Sequence, residues 1–100
     1  MEYINPNKNG FTVYSKSGCP NCVTVKKLIK EKNFLLSSEI CCDEYILEDK
    51  EGFLKFIENI AGNSSHKTFP IVFHEGKFVG GLNETKVLIF RLLLLFEDYF

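Results

Sequence analysis

The feature that most constrains the fold is a Cys-Pro-Asn-Cys motif at residues 19–22, which stands between a strand-like run and a helix-like run. Residues 11–15 are rich in β-branched and aromatic side chains, which favours a strand. From Pro20 to about Asn33 the apolar residues share one face, which predicts an amphipathic helix. The motif therefore marks a β-α junction that carries two cysteines.

A second strand is expected within residues 35–47, but the pattern there fits two registers. One register centres on residues 40–42 and the other on residues 45–47, and we prefer the earlier one. The next element is clearer, because Phe53, Phe56, Ile57 and Ile60 recur at helical spacing. That spacing predicts an amphipathic helix that ends near Gly62.

The last third of the chain predicts a hairpin and a helix. Residues 71–73 and 77–79 flank a turn-like His-Glu-Gly spacer at residues 74–76, as in two antiparallel strands. Two glycines end the hairpin, and Asn83 is expected to be the N-cap of a helix that runs to about Glu97.

The predicted order is therefore β-α-β-α-β-β-α, an α/β fold with a four-stranded mixed sheet flanked by helices. A helix that joins the first two strands implies a parallel pair with a right-handed crossover, and the hairpin adds an antiparallel pair. One hundred residues suit a single domain, here residues 1–100, and we expect residues 1–9 to form a flexible N-terminal extension.

Charge and hydropathy argue against nucleic-acid and membrane partners. The net charge is −1, with acidic and basic residues interspersed, so no single-signed surface attracts either ligand. The most apolar run, residues 87–96, is about half the length of a bilayer crossing. The first ten residues lack the apolar stretch of a secretory signal, so we expect a cytoplasmic protein. In the reducing cytoplasm, a C-x-x-C pair indicates redox catalysis or metal binding rather than a structural disulfide.

The position of Cys19 favours redox chemistry. At the N-cap of a helix, its sulfur lies near the positive end of the helix dipole and the free amides of Asn21 and Cys22, and Lys16 adds a nearby cation. Such surroundings lower the pKa of a thiol, so we expect Cys19 to be the attacking thiolate. Cys22 lies one turn further along the same face and is expected to resolve mixed disulfides on Cys19.

Zinc is the competing interpretation, because zinc sites use the same C-x-x-C spacing but need two further ligands. Cys41 and Cys42 are adjacent, so on a strand they point to opposite faces, and His66 and His74 form no recognised ligand pair with them. We therefore favour redox chemistry, expect no metal, and interpret Cys41 and Cys42 as packed strand residues.

Over residues 11–95 the chain resembles the glutaredoxin family, and three separated motifs carry the resemblance. Residues 16–22 (KSGCPNC) resemble the family's K-x-x-C-P-Y-C, residues 68–70 (TFP) its T-V-P, and residues 80–83 (GGLN) its G-G-x-D. The resemblance implies a thioredoxin-like fold that reduces disulfides and glutathione mixed disulfides, with glutathione as co-substrate. The partners it implies are glutathione and disulfide-bearing or glutathionylated proteins, and we expect a monomer.

The resemblance also implies a glutathione site that spans the three motifs. Its residues would be Lys16, Thr68, Phe69, Pro70, Gly81, Leu82 and Asn83. A cis Pro70 would leave the Phe69 backbone free to pair with the cysteinyl unit, and amides at Leu82 and Asn83 would bind the γ-glutamyl carboxylate. Lys16 would pair with the glycyl carboxylate, although most lysines are simply solvated.

Two residues depart from the family pattern, and two other functions stay open. Asn21 replaces an aromatic residue, which leaves the site more open, and Asn83 replaces Asp, which removes a charge that could attract the glutathione amine. One alternative is a redoxin recycled by thioredoxin reductase, and the other is a glutathione-ligated iron-sulfur protein. Pro20 argues against the cluster, because its ring crowds the space beside Cys19.

Overall fold

The computed structural model describes residues 2–97, and its elements follow the predicted order. They are β1 (Phe11–Ser15), α1 (Pro20–Glu31), β2 (Leu36–Cys41), α2 (Asp43–Ile60), β3 (Ile71–His74), β4 (Lys77–Gly80) and α3 (Leu82–Glu97). The four strands form one sheet in the order β2-β1-β3-β4. β1 pairs with β2 in parallel and with β3 antiparallel, and β3 pairs antiparallel with β4, so the predicted mixed α/β sheet is confirmed.

The sheet is covered on both faces, because β1 lies at its centre and all five residues of β1 are buried. One apolar cluster joins the sheet to α2 and contains Tyr14, Ile40, Cys42, Phe53, Ile57, Ala61, Ile71 and Phe73. The other joins the sheet to α1 and α3 and contains Phe11, Val13, Val25, Ile29, Val72 and Ile89. Alternate residues of β1 thus point to opposite cores, as the two-residue period of a strand requires.

The second strand takes the earlier of the two registers, so that preference is confirmed. Residues 45–47, the alternative, lie in the first half of α2. Asp43 and Glu44 occupy the first turn of this helix, where carboxylates are stabilised by the helix dipole. The helix is interrupted at Asp49, which has φ −157° and ψ 77°, so the predicted amphipathic segment forms its second half.

The hairpin turn is shorter than the predicted three-residue spacer, because His74 still belongs to β3 and pairs with Lys77. The turn consists of Glu75 and Gly76, with φ of 52° and 79°. Two successive positive φ values match the twist of the flanking strands in a two-residue hairpin, and glycine adopts one of them without steric cost.

The prediction that Asn83 caps α3 is wrong, because the N-cap lies two residues earlier and the helix begins at Leu82. The carbonyl of Gly81 accepts hydrogen bonds from the Thr85 amide (3.1 Å) and the Thr85 hydroxyl (2.7 Å), so Gly81 is the N-cap residue. The Glu84 carboxylate in turn accepts from the Gly81 amide at 2.7 Å. The contact is one half of a capping box, in which a side chain at the third helical position accepts from the amide of the N-cap residue. Within residues 2–97, no helix is both long enough and apolar enough to cross a membrane.

The segment before β1 has neither helix nor strand, but it packs on the domain. The Tyr14 hydroxyl donates to the Ile4 carbonyl at 2.6 Å, and the Asn7 amide donates to the Thr12 hydroxyl at 2.9 Å. The Tyr3 ring stacks on Phe56, with ring centroids 4.8 Å apart. The flexibility expected for residues 1–9 stays a prediction, although these three contacts bind the segment to the rest of the domain.

Candidate active site

The three motifs meet at one edge of the sheet, because the strand directions bring their ends together. β1 and β2 run in parallel, so Ser15 at the end of β1 lies beside Cys41. β3 runs antiparallel to both β1 and β4, so its first residues lie beside the ends of those strands. The loop before Cys19, the segment before β3 and the start of α3 are therefore neighbours.

Cys19 is the N-cap of α1, as predicted. Its backbone is extended, with φ −119° and ψ 94°, and Pro20 begins the helix where no amide hydrogen is needed. The Cys22 amide donates to the Cys19 sulfur at 3.2 Å. No hydrogen bond from Asn21, the other expected donor, joins it among the described residues. The Cys19 sulfur thus lies against the first turn of α1, where the dipole favours a thiolate.

Cys19 and Cys22 form a disulfide, with their Cα atoms 5.3 Å apart. Cys22 is only 2% exposed, whereas Cys19 is partly exposed. A cysteine pair with one accessible and one buried sulfur can alternate between dithiol and disulfide, because only the accessible sulfur has to contact a partner. The division into an attacking and a resolving cysteine stays a prediction.

The loop before Cys19 is tied to α2 by a carboxylate that the sequence prediction missed. Asp43 accepts hydrogen bonds from the Ser17 amide (2.9 Å) and the Ser17 hydroxyl. The hydrogen bonds from the Ser17 hydroxyl and then the amide lower the pKa of Asp43, and the charge of Lys16 contributes. Gly18, with φ 67°, then allows the chain to turn toward Cys19. The signal for Asp43 was its place two residues after β2, at the edge where β1 ends.

Lys16 contacts the second motif through an aromatic ring. Its ammonium lies 5.6 Å from the centroid of the Phe69 ring, within the range of a cation–π interaction. The Phe69 ring is parallel to the buried Phe53, with centroids 6.2 Å apart and planes 4° apart. α2 therefore supports the segment that faces the cysteine loop.

The peptide bond between Phe69 and Pro70 is cis, which confirms that prediction. The backbone amide and carbonyl of Phe69 form no hydrogen bond with another described residue, and Thr68 is exposed. His66, which sequence reasoning did not place in the site, has its Nε2 atom 3.3 Å from the Pro70 carbonyl oxygen. A Cβ atom on Gly81 would lie 3.3 Å from the His66 ring, so His66 joins the second and third motifs.

The third motif offers two backbone donors. Because Glu84 already accepts from Gly81, the amides left without an acceptor in the described structure include those of Leu82 and Asn83. Both belong to the first turn of α3, where amides have no partner within the helix. The Asn83 side chain borders a groove between β4 and α3 that Lys77 also lines.

The other two cysteines differ in their surroundings. Cys42 is buried directly after β2, and burial, with a smaller contribution from Cys41, raises the pKa of its thiol to about 12. Cys41 lies in β2 but is exposed, and Cys42 is packed but is the N-cap residue of α2, so the expectation of packed strand residues is wrong for Cys41 and holds only for the packing of Cys42. Across residues 2–97, no cluster of three or more His, Cys, Asp or Glu side chains is arranged to hold a metal. The absence of a metal stays a prediction.

Comparison with known proteins agrees with this arrangement. Residues 11–79 match the family model described as Glutaredoxin. Glutaredoxin 1 of Rickettsia conorii is 38% identical over 69 residues, which cover 69% of this chain and 61% of the relative's length. The crystal structure of Francisella tularensis glutaredoxin 1 in complex with cacodylate has a TM-score of 0.67 and 26% identity, over 83% of this chain and 94% of that one.

A buckwheat glutaredoxin, solved in complex with glutathione, is also similar. It has a TM-score of 0.56 and 27% identity, over 78% of this chain and 66% of that one. These likenesses confirm that the fold is thioredoxin-like, as the motifs implied.

Proposed function

Since the chain belongs to the glutaredoxin family, we propose that it is a glutathione-dependent thiol-disulfide oxidoreductase that reduces protein disulfides and glutathione mixed disulfides. The observation that carries the proposal is the disulfide between the partly exposed N-cap residue Cys19 and the buried Cys22. The buckwheat complex supports glutathione as the co-substrate.

Reduction of a glutathionylated protein needs one cysteine of the pair. The Cys19 thiolate attacks the glutathione sulfur of the mixed disulfide, a bond forms between Cys19 and glutathione, and the protein leaves as a thiolate. The thiolate of a second glutathione then attacks the glutathione sulfur held on Cys19. This step releases oxidised glutathione and restores the Cys19 thiolate, so one reduced glutathione is consumed and its sulfur replaces the protein sulfur in the disulfide.

Reduction of a protein disulfide needs both cysteines. Cys19 attacks one substrate sulfur and the other leaves as a thiolate, which places a bulky mixed disulfide on Cys19. Cys22 then attacks the Cys19 sulfur, which releases the second substrate thiolate and forms the Cys19–Cys22 disulfide. One glutathione opens this disulfide by attack on Cys19, and a second removes the first as oxidised glutathione.

The proposed glutathione site lies along the edge of the sheet beside Cys19. The free amide and carbonyl of Phe69, between Thr68 and Pro70, would pair with the cysteinyl unit, as an added strand pairs with a sheet edge. The amides of Leu82 and Asn83, beyond Gly81, would bind the γ-glutamyl carboxylate at the start of α3. The Lys16 ammonium would bind the glycyl carboxylate. These groups contact three parts of one tripeptide.

The test compares Cys19→Ser with Cys22→Ser in two assays, each coupled to glutathione reductase and NADPH. One assay uses the mixed disulfide of glutathione and 2-mercaptoethanol, and the other uses a protein disulfide. We expect Cys19→Ser to be inactive in both, and Cys22→Ser to retain activity only on the mixed disulfide. An active Cys19→Ser variant would refute the assignment of the attacking sulfur.

A second reductant separates the proposal from its alternative. Thioredoxin reductase should not support turnover at a rate comparable to that of the glutathione system. If thioredoxin reductase alone supported turnover, the glutathione dependence would be wrong. We further propose a cytoplasmic monomer, to be checked by cell fractionation and by sedimentation of the purified protein.

A further inference from the structure

A groove beside the cysteine loop carries three lysines, and we call it the lysine groove. Lys16, Lys50 and Lys67 border it, and Ile46, Leu54 and Phe69 contribute its apolar lining. Its volume is about 510 Å³. The groove overlaps the proposed site, because Lys16, Thr68 and Phe69 belong to both.

The charge of the lysine groove is local, since the whole chain has a net charge of −1. No carboxylate lines this groove in the part of the chain that the structure describes, and its three lysines form no ion pair there. Acidic side chains lie on the other side of Lys67, where Asp49, Glu51 and Glu58 line a neighbouring groove. The positive region therefore faces the cysteine loop and ends sharply along α2.

One glutathione leaves part of this charge unused. In the proposed function a single lysine, Lys16, binds the glycyl carboxylate, so Lys50 and Lys67 have no assigned partner. Both side chains are exposed, so they can contact a second partner that lies beside glutathione. The protein that carries the target cysteine is such a partner, because it must approach Cys19 across this edge.

We propose that the lysine groove binds acidic side chains that flank the target cysteine, so that this protein prefers disulfide-bonded or glutathionylated substrates whose cysteine lies in an acidic segment. The inference rests on the proposed function and specifies its substrate class. Exposed charges of this kind act mainly by steering the encounter, so the preference should appear in kcat/KM and weaken with salt.

The first experiment uses three glutathionylated peptides of equal length. Their target cysteine is flanked by aspartate, asparagine or lysine on both sides, and release of the peptide thiol is followed at low and high ionic strength. We expect the acidic peptide to exceed the neutral one by about two- to fivefold for each ion pair formed. The preference should nearly vanish at 1 M salt, where the screening length is about 3 Å. Equal kcat/KM for all three peptides at low salt would overturn the proposal.

The matched variants are Lys50→Glu, Lys67→Glu and a control, Lys86→Glu. The control makes the same change in net charge on α3, outside the lysine groove. We expect each groove variant to lose the preference for the acidic peptide, and the control to keep it. Turnover of the small mixed disulfide should change much less than turnover of the acidic peptide in both groove variants, and should stay unchanged in the control. If the groove variants slowed the small substrate as much as the acidic peptide, their role would be in glutathione binding and the proposal would be wrong.

A binding experiment distinguishes this inference from the proposed function. Acidic and basic peptides in which serine replaces the target cysteine are titrated into the wild-type protein, and backbone amide shifts are recorded by NMR. The acidic peptide should shift residues 46–54 and 67–69, and the basic one should not. This result is independent of turnover, so an inactive protein would still test the groove. Identical shifts with both peptides, or none with either, would overturn the inference.

Discussion

Replacement of Phe53 by alanine should destabilise the protein more than any exposed substitution in α2, because this ring joins the core to the proposed site. Phe53 has no exposed surface and packs against four aromatic rings with centroids 5.5 to 6.5 Å away. Truncation of a buried phenylalanine costs about 3–5 kcal/mol, and the ring pairs place this residue in the upper part of that range. The total stability of such domains is about 5–15 kcal/mol.

The assay is urea unfolding of the reduced proteins, followed by circular dichroism. The control is Leu47→Ala, since this leucine lies on the same helix with 86% of its surface exposed. We expect the control to lose less than about 0.5 kcal/mol. We also expect a melting temperature at least roughly 12 °C lower for Phe53→Ala, from about 4–8 °C per kcal/mol in a domain of this size. A loss for Phe53→Ala no larger than that of the control would refute the assignment of Phe53 to the core.

Four further predictions follow from individual side chains. Tyr14→Phe should lower the free energy of unfolding by about 0.5–1.5 kcal/mol and speed hydrogen exchange in residues 2–9, because the bond to the Ile4 carbonyl is lost; unchanged exchange would contradict it. Iodoacetamide should label Cys41 but not Cys42 in the native reduced protein, and mass spectrometry would detect the difference. In the folded state the pKa of the Cys42 thiol is about 12, against an ordinary 9.0. The protonated thiol therefore contributes to the free energy of unfolding in full below pH 9, and this contribution is lost between pH 9 and 12. Cys42→Ala should remove that part of the pH dependence in denaturant titrations. The pKa of Asp43 is lowered from 3.8, so its carboxylate contributes to the free energy of unfolding in full above pH 3.8, and this contribution is lost as the pH falls further. Asp43→Asn should remove this dependence of stability on acidic pH. An unchanged loss of stability at low pH would show that the Ser17 contact is unimportant.

Much of the fold and of the redox pair followed from local patterns. The strand before Cys19, the helix after Pro20 and the amphipathic second half of α2 each depend on residues within one element, whose spacing is visible in the chain. The cis bond at Pro70 came from the family resemblance, since the local residues alone favoured trans. The N-cap of α3 was misplaced by two residues, because a glycine cap whose amide is bound by Glu84 is a weaker signal than an asparagine two residues further on.

The sequence by itself thus determined the order of the elements and the cysteine pair at a helix start, because both depend on neighbours along the chain. Only the tertiary structure decided which distant residues share the edge of the sheet. Asp43 lies 26 residues from Ser17 and reaches it because β1 and β2 end side by side. His66 lies against Gly81, and Lys50 and Lys67 line one groove with Lys16. Both arrangements arise because α2 packs on the sheet and β3 runs back beside β1. No periodicity encodes those contacts, since strand pairing and packing join residues whose separation in sequence has no regular value.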